Sequence, residues 1–179
     1  MRVRLVLSLL ILLGLSAPPR GTEPEGVADA ELRAALDAFT GTWSGTFKVY
    51  RYDGRLLDQL ETTHQYEWVD SVQHGVFVDR YPDGRTVRAE ARNYVRDGVL
   101  YCEVEKENGV HTLHRGRLEG GVVFWYRQVE DGAVTESFRE RVVETSAGRV
   151  YRIDGFGVYR EGEATSYLLY EGRYAEVSE

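Results

Sequence analysis

The chain of 179 residues holds one cysteine, one methionine, four prolines and four histidines. A lone thiol, Cys102, cannot make an internal disulfide, so the fold must be held by its core. Alternating with Leu100 and Val104, it reads as a buried, unreactive group. The histidines form no ligand set: His111 and His114 are three apart, which sends them to opposite faces of a regular strand. Basic residues are in the minority, 22 against 29 acidic, so nucleic acid and anionic membrane surfaces are poor partners. No phosphate loop, nucleophile elbow or paired metal motif occurs, so no catalytic residue, metal site or cofactor is assigned.

No apolar run reaches the roughly 20 residues of a membrane-spanning helix. The longest, Leu5 to Leu15, follows Arg2 and Arg4 and precedes the small residues Ser16 and Ala17, which is the pattern of an export signal over residues 1–17. Its removal takes two of the 22 basic residues and leaves a formal charge near −9. Residues 18–27, PPRGTEPEGV, read as a flexible leader, and the chain is expected in the periplasm or secreted. What remains, residues 28–179, is one domain, long enough to bury a core without staples.

From Asp29 to Phe39 the apolar residues Leu32, Ala35, Leu36 and Phe39 recur at three- and four-residue intervals, which predicts one short helix. Beyond Thr42 the period becomes two, and turn signals recur: YDGR at 52, PDGR at 82, RDGV at 96, ENGV at 107, EGGV at 119, EDGA at 130, SAGR at 146 and REGE at 160. The segments between them alternate or are rich in β-branched and aromatic residues, as in TVRAEARNYV and GVVFWYRQVE. The pattern predicts an all-β fold, an antiparallel up-and-down meander of eight to ten strands. A sheet that long closes on itself to remove its edges, and the absence of long crossovers argues against a sandwich. Acidic strands such as CEVEKE argue against an outer-membrane barrel and against insertion of the mature domain.

A helix followed by Gly41-Thr42-Trp43 at the head of the first strand, then a short-turn meander, resembles the calycin superfamily and, within it, bacterial lipocalin-like domains of uncharacterised function. The resemblance implies that Trp43 plugs the closed end of a lipocalin-like barrel. It also implies that a basic residue from near the last strand, for which Arg173 is the candidate, packs across the indole. The lipocalin disulfide is absent.

If Trp43 points inward, so do Gly45, Phe47 and Val49. Thr62, His64, Tyr66 and Trp68 share one face of the second strand. The seventh divides into Val122, Phe124 and Tyr126 against Val123, Trp125 and Arg127. The fourth sets Thr86, Arg88, Glu90, Arg92 and Tyr94 against small apolar residues, and its charged face belongs in water unless Arg92 and Tyr94 turn inward to grip a ligand carboxylate. The "RNY" triplet resembles the Arg-x-Tyr pair of fatty-acid-binding proteins, although theirs lies in the last strand. The candidate ligand-binding set is thus Phe47, His64, Tyr66, Trp68, Arg92, Tyr94, Phe124 and Tyr126.

Three functions fit these expectations. The first is an exported, non-enzymatic protein holding a small hydrophobic or amphipathic molecule. The second is a calycin-type enzyme, decarboxylase- or cyclase-like, acting on a small carboxylated substrate through Arg88, Glu90, Arg92, Tyr94 and His64. The third is a filled barrel acting through its surface as an envelope interaction module.

Overall fold

The computed structural model describes residues 25–129 and 132–178. The expected signal segment, 1–17, lies outside them. A helix, α1 (Glu25–Asp37), precedes ten strands among the described residues: β1 (Gly41–Arg51), β2 (Leu56–Val69), β3 (Val72–Arg80), β4 (Thr86–Arg96), β5 (Val99–Lys106), β6 (His111–Glu119), β7 (Val122–Gln128), β8 (Val134–Thr145), β9 (Gly148–Glu161) and β10 (Ala164–Glu176). The helix starts four residues before the predicted Asp29, inside what was expected to be leader, and its last turn hands the chain directly to β1.

Each strand pairs antiparallel with its sequence neighbour, and β1 pairs with β10 from Trp43↔Glu176 to Arg51↔Leu168, so the sheet is a closed barrel. Closure leaves no unpaired edge, which disposes of the edge-strand hazard. The turns are built as expected at Gly54, Gly84, Gly98 and Gly109, each with a positive φ. A ninth turn carries no glycine: between Val69 and Val72 it is Asp70 that takes the left-handed conformation, at φ 55°. Asp is one of the few side chains that tolerates this, because its short polar chain bonds locally. Gly45 is required for a different reason. A Cβ there would lie 1.9 Å from the Arg173 carbonyl oxygen, so the β1–β10 seam closes only over a residue without a side chain.

α1 lies over one end of the barrel and seals it. Leu36 and Phe39, at 1% and 4% exposure, meet Trp43 at 0%. The indole N–H donates to the Phe39 carbonyl at 2.7 Å, and Tyr151 meets both rings edge-on, at 5.0 and 5.7 Å. A polar chain pins the helix end to the wall: Gln73 donates to the Leu36 carbonyl at 2.7 Å, and Asn93 donates to Gln73 at 3.1 Å. Gly98 N–H donates to Asp29 and Arg33 to the Asp70 carbonyl, so two hairpin turns are tied to the same helix.

The basic residue over the indole is Arg149 and not Arg173. Its guanidinium carbon lies 5.1 Å from the Trp43 ring, and it reaches Glu176 at 2.6 Å and the Ala38 carbonyl. Arg173 is excluded by alternation. Gly172 and Tyr174, on either side of it, are buried on the inner face, so Arg173 points outward to Asp154 at 3.2 Å and Glu171 at 3.3 Å.

The outer surface of β4 is charged. Arg88, Glu90 and Arg92 are exposed, while Ala89 and Ala91 are buried. Among the described residues no helix is long and apolar enough to cross a membrane.

Candidate functional site

Register fixes which side chains enter the barrel. Starting from Trp43, the inner face takes Phe47 from β1; Thr62, His64 and Tyr66 from β2; Phe77 from β3; Cys102 from β5; His114 from β6; Val123, Trp125 and Arg127 from β7. It continues with Glu136, Phe138 and Glu140 from β8, Tyr151 and Tyr159 from β9, and Tyr170 and Tyr174 from β10. The deep members are fully packed: Tyr151 and Val123 have 0% and 1% exposure, Tyr174 1%. Phe47, Phe138, Cys102 and Glu140 keep part of their accessible surface although they sit mid-strand on the inner face. Surface that is reachable yet enclosed by the wall borders an internal lumen.

Rings line it in two belts. The upper belt stacks Phe47 on Tyr170 at 5.8 Å and Tyr170 on Phe138 at 5.3 Å, with His114 edge-on to Phe138 at 5.9 Å. The lower belt packs His64 against Phe77 at 4.4 Å, Tyr174 at 4.7 Å and Tyr151 at 5.8 Å. Glycines on β9 make the upper belt possible. A Cβ at Gly155 would strike the Phe138 ring at 2.6 Å, and one at Gly157 would strike the Tyr170 hydroxyl at 2.6 Å.

Two glutamates enter from β8. Glu136, toward the mouth, accepts from Arg127 at 2.8 Å and from the Tyr159 hydroxyl, which in turn accepts from Tyr170 at 2.5 Å. His114 Nε2 stands 3.4 Å from the same carboxylate, at ion-pair range without the alignment of a hydrogen bond. Burial alone would raise this carboxyl. The hydrogen bonds from Arg127 and Tyr159, with the His114 ring close by, outweigh burial and hold it down at about 2. The same charge and burial raise Tyr170 to about 12 and Tyr159 further.

Glu140, one layer deeper, has a different shell. Tyr151 OH donates to it at 2.9 Å and the Trp125 indole N–H also donates, but no cation among the described residues is in reach, and burial raises its carboxyl to about 7. His64 is driven the other way by burial, to about 3, and is neutral. The Cys102 thiol, raised by burial and by Glu140, stays protonated and is no nucleophile.

The sequence-predicted ligand residues divide. Phe47, His64 and Tyr66 face the lumen or its floor. Trp68 is on the inner parity but serves the helix: its indole donates to Asp37 at 2.9 Å under Arg33, 4.0 Å from the ring. Arg92 and Tyr94 point outward. The Arg92 side chain is 56% exposed beside Glu103 at 3.8 Å, while Tyr94 donates to Glu103 at 2.8 Å and stacks on Tyr101 at 5.3 Å. The small Ala89–Ala91 face takes the inside because a charged face would there be buried without partners. Arg88 and Glu90, named for the enzyme reading, lie on the same outer face at 48% and 71% side-chain exposure. Phe124 and Tyr126 are also outside, with Arg117 5.0 Å over the Phe124 ring and Tyr126 46% exposed. Trp125 takes the interior because its register partner is Gly116, where a Cβ would be 2.6 Å from the indole.

Sequence reasoning missed Arg127 as an inner residue, together with Glu136, Phe138, Glu140, Tyr159 and Tyr170. The usable signal was Gly116 facing Trp125 and the paired glycines at 155 and 157, since glycine opposite a ring marks the side on which the ring lies. A separate cleft of about 330 Å³ lies on the charged edge between Arg88, Glu90, Glu105 and Lys106, open to solvent and without rings.

No family model matches the chain, and no curated protein matches it in sequence. Solved structures do match in shape. The S-type phycobiliprotein lyase CPES from Guillardia theta superposes with a TM-score of 0.60 at 6% identity, over 88% of this chain and 99% of that chain. The protein EF1p2_mFAP2b bound to DFHBI matches with a TM-score of 0.40 at 10% identity, over 81% and 98%. The first likeness shows a shared barrel fold.

Proposed function

We propose that the chain is an exported binding protein whose barrel holds a small aromatic or amphipathic molecule. The observation that carries this reading is the lumen itself: two belts of rings enclose accessible surface at Phe47, Phe138, Cys102 and Glu140. A concave, mostly apolar cavity with a few placed polar groups is what small-molecule sites require. Export rests on Arg2, Arg4 and the run Leu5 to Leu15 alone. The Gly41-x-Trp43 resemblance to bacterial lipocalin-like domains and the barrel shared with a phycobiliprotein lyase support the reading by analogy of fold alone.

Titrating the purified protein with fatty acid, haem and small aromatics while following tryptophan fluorescence tests it, since Trp125 lines the lumen. Saturable quenching or enhancement by at least one class is expected. Flat titrations across the panel would contradict it. N-terminal sequencing of secreted product, expected to begin between Ser16 and Gly21, tests export separately.

Glu140 supports a second reading, a calycin-type barrel enzyme. A carboxyl held near 7 in an enclosed site can pass a proton in either direction at neutral pH, the property an acid–base catalyst needs. In that reading Glu140 replaces the outward Arg88, Glu90, Arg92 and Tyr94.

A further inference from the structure

We propose that the lumen beside Glu140 is a cage for an organic cation, in which a protonated nitrogen of the bound molecule sits against Glu140, whose carboxyl is backed by the packed rings of Tyr66, Tyr151, Tyr174 and Trp125. This rests on the lumen-binding reading above and adds the ligand's chemistry to it.

Three observations carry it. The first is the place of Glu140: its register partners Val123 and Ile153 are buried at 1% and 6%, so it is deep on the inner face, yet part of its own surface is reachable from inside the barrel. The second is the missing counter-charge. Tyr151 and Trp125 supply hydrogen-bond donors but no positive charge. Arg127, the inner-face cation above it, is spent on Glu136 at 2.8 Å. Arg149, below it, is spent on Glu176 at 2.6 Å and on the Trp43 ring. Arg139 and Arg173 face outward to Asp154. A buried carboxyl is normally paired, and this one has no cation among the described residues.

The third is the lining. Tyr66, Tyr151 and Tyr174 all stand within electrostatic range of Glu140, and Trp125 contacts it directly. Aromatic rings attract cations through their quadrupole, more strongly where water is excluded, so the packed rings behind the carboxyl favour a positive charge in front of it. An anionic ligand would meet Glu140 and, across the barrel, Asp79, which acts on Tyr174 from β3.

The groups facing Glu140 are Tyr66 from β2, Cys102 from β5, Trp125 from β7, Tyr151 from β9 and Tyr174 from β10, with His64 of β2 packed on Tyr151 and Tyr174. Burial raises each titratable member of the first group, and lowers His64, toward its neutral form. None competes for the proton at neutral pH. Docking a cation therefore expels a proton from Glu140, balancing the charge that enters.

The test is calorimetric titration of the purified protein with three compounds of one shape: 2-phenylethylamine, 2-phenylethanol and phenylacetate. The amine is expected to bind at least tenfold tighter than the alcohol, with phenylacetate weakest. Glu140→Gln is expected to bring amine and alcohol within about twofold of each other. Repeating the amine titration at pH 7 in two buffers of different ionisation enthalpy is expected to reveal release of a fraction of a proton. This measurement decides the matter if Glu140→Gln fails to fold. Phenylacetate binding as tightly as the amine, a preserved amine preference in Glu140→Gln, or binding without proton release would each overturn the cation cage. If fatty acid or haem binds while the amine shows no advantage, the cage fails and the lumen reading stands. If no compound binds at all, both fail.

Discussion

Glu136 and Glu140 lie four residues apart on the same inner face of β8, and their surroundings give them opposite characters. Near the mouth, Arg127, Tyr159 and His114 converge on Glu136 and hold its carboxyl at about 2. One layer down, Glu140 has only Tyr151 and Trp125, and burial raises it to about 7. The first glutamate is complete: its charge is balanced and its acceptors are filled, so it ties β6, β7, β8 and β9 together. The second has no counter-charge among the described residues, and it borders the lumen. A buried carboxylate whose charge is already matched by its own chain is structural, whereas one hydrogen-bonded but without a counter-charge is where a cationic ligand gains most.

The floor beneath both glutamates gives the largest expected effect. Trp43→Ala should cost about 3 to 5 kcal/mol in denaturant unfolding, because a fully packed large ring and its hydrogen bond to Phe39 are lost together. A loss under about 1 kcal/mol would mean that the ring does not plug the barrel. Arg127→Met should cost about 3 kcal/mol at pH 7 by leaving Glu136 charged, enclosed and without its cation. The same substitution should cost less at pH 3. Equal losses at the two pH values would show that Arg127 acts by packing alone.

The two glutamates should also bend the pH–stability curve in opposite directions. Glu136 is depressed in the folded chain, so its contribution is complete above the unfolded value near 4.5 and is lost as pH falls from there toward 2. It is worth about 2 kcal/mol after allowance for solvent at the mouth. Glu140 is raised, so the folded chain holds a proton that the unfolded chain releases. Stability therefore falls as pH rises from about 4.5 to 7 and is level beyond. Glu136→Gln should remove the acid-side slope. Glu140→Gln, which keeps an acceptor for Tyr151 and Trp125, should remove the slope between pH 4.5 and 7 and stabilise the protein at pH 8 by about 2 kcal/mol. If both variants flatten the same limb in chemical denaturation, the contrast is wrong. Smallest of all, Arg92→Ala should change stability by less than about 0.5 kcal/mol and leave ligand titrations unaltered, because its ion pair with Glu103 is exposed.

Turn chemistry makes the barrel legible in the sequence. Eight hairpins announced themselves by Asp-Gly, Asn-Gly, Gly-Gly or a similar pair, and the ninth was silent because Asp70 does a glycine's work. The direction of each strand face was not legible, since a period of two separates two sets of residues without saying which is inside. Trp43 oriented β1 correctly, and its neighbours inherited that by register. On β4 and β7 the ligand set was drawn from the wrong face, and on β10 Arg173 was taken where Tyr174 points inward. Charge had to be weighed there against burial. At Trp125, the deciding partner, Gly116, is adjacent in space but nine residues away in sequence. Glu140 was invisible for a related reason: a glutamate between two arginines reads as surface until register places it beside Val123 and Ile153.

Carboxyl carbon NMR of the labelled protein, titrated free and saturated with 2-phenylethylamine, tests the contrast between the two glutamates most directly. The expected result is one glutamate titrating near 7 that disappears in Glu140→Gln and moves down when the amine is bound, and another near 2 that disappears in Glu136→Gln and stays where it is. If every glutamate titrates in the ordinary range around 4.5, with or without the amine, the two carboxyls are not differently matched and the account fails.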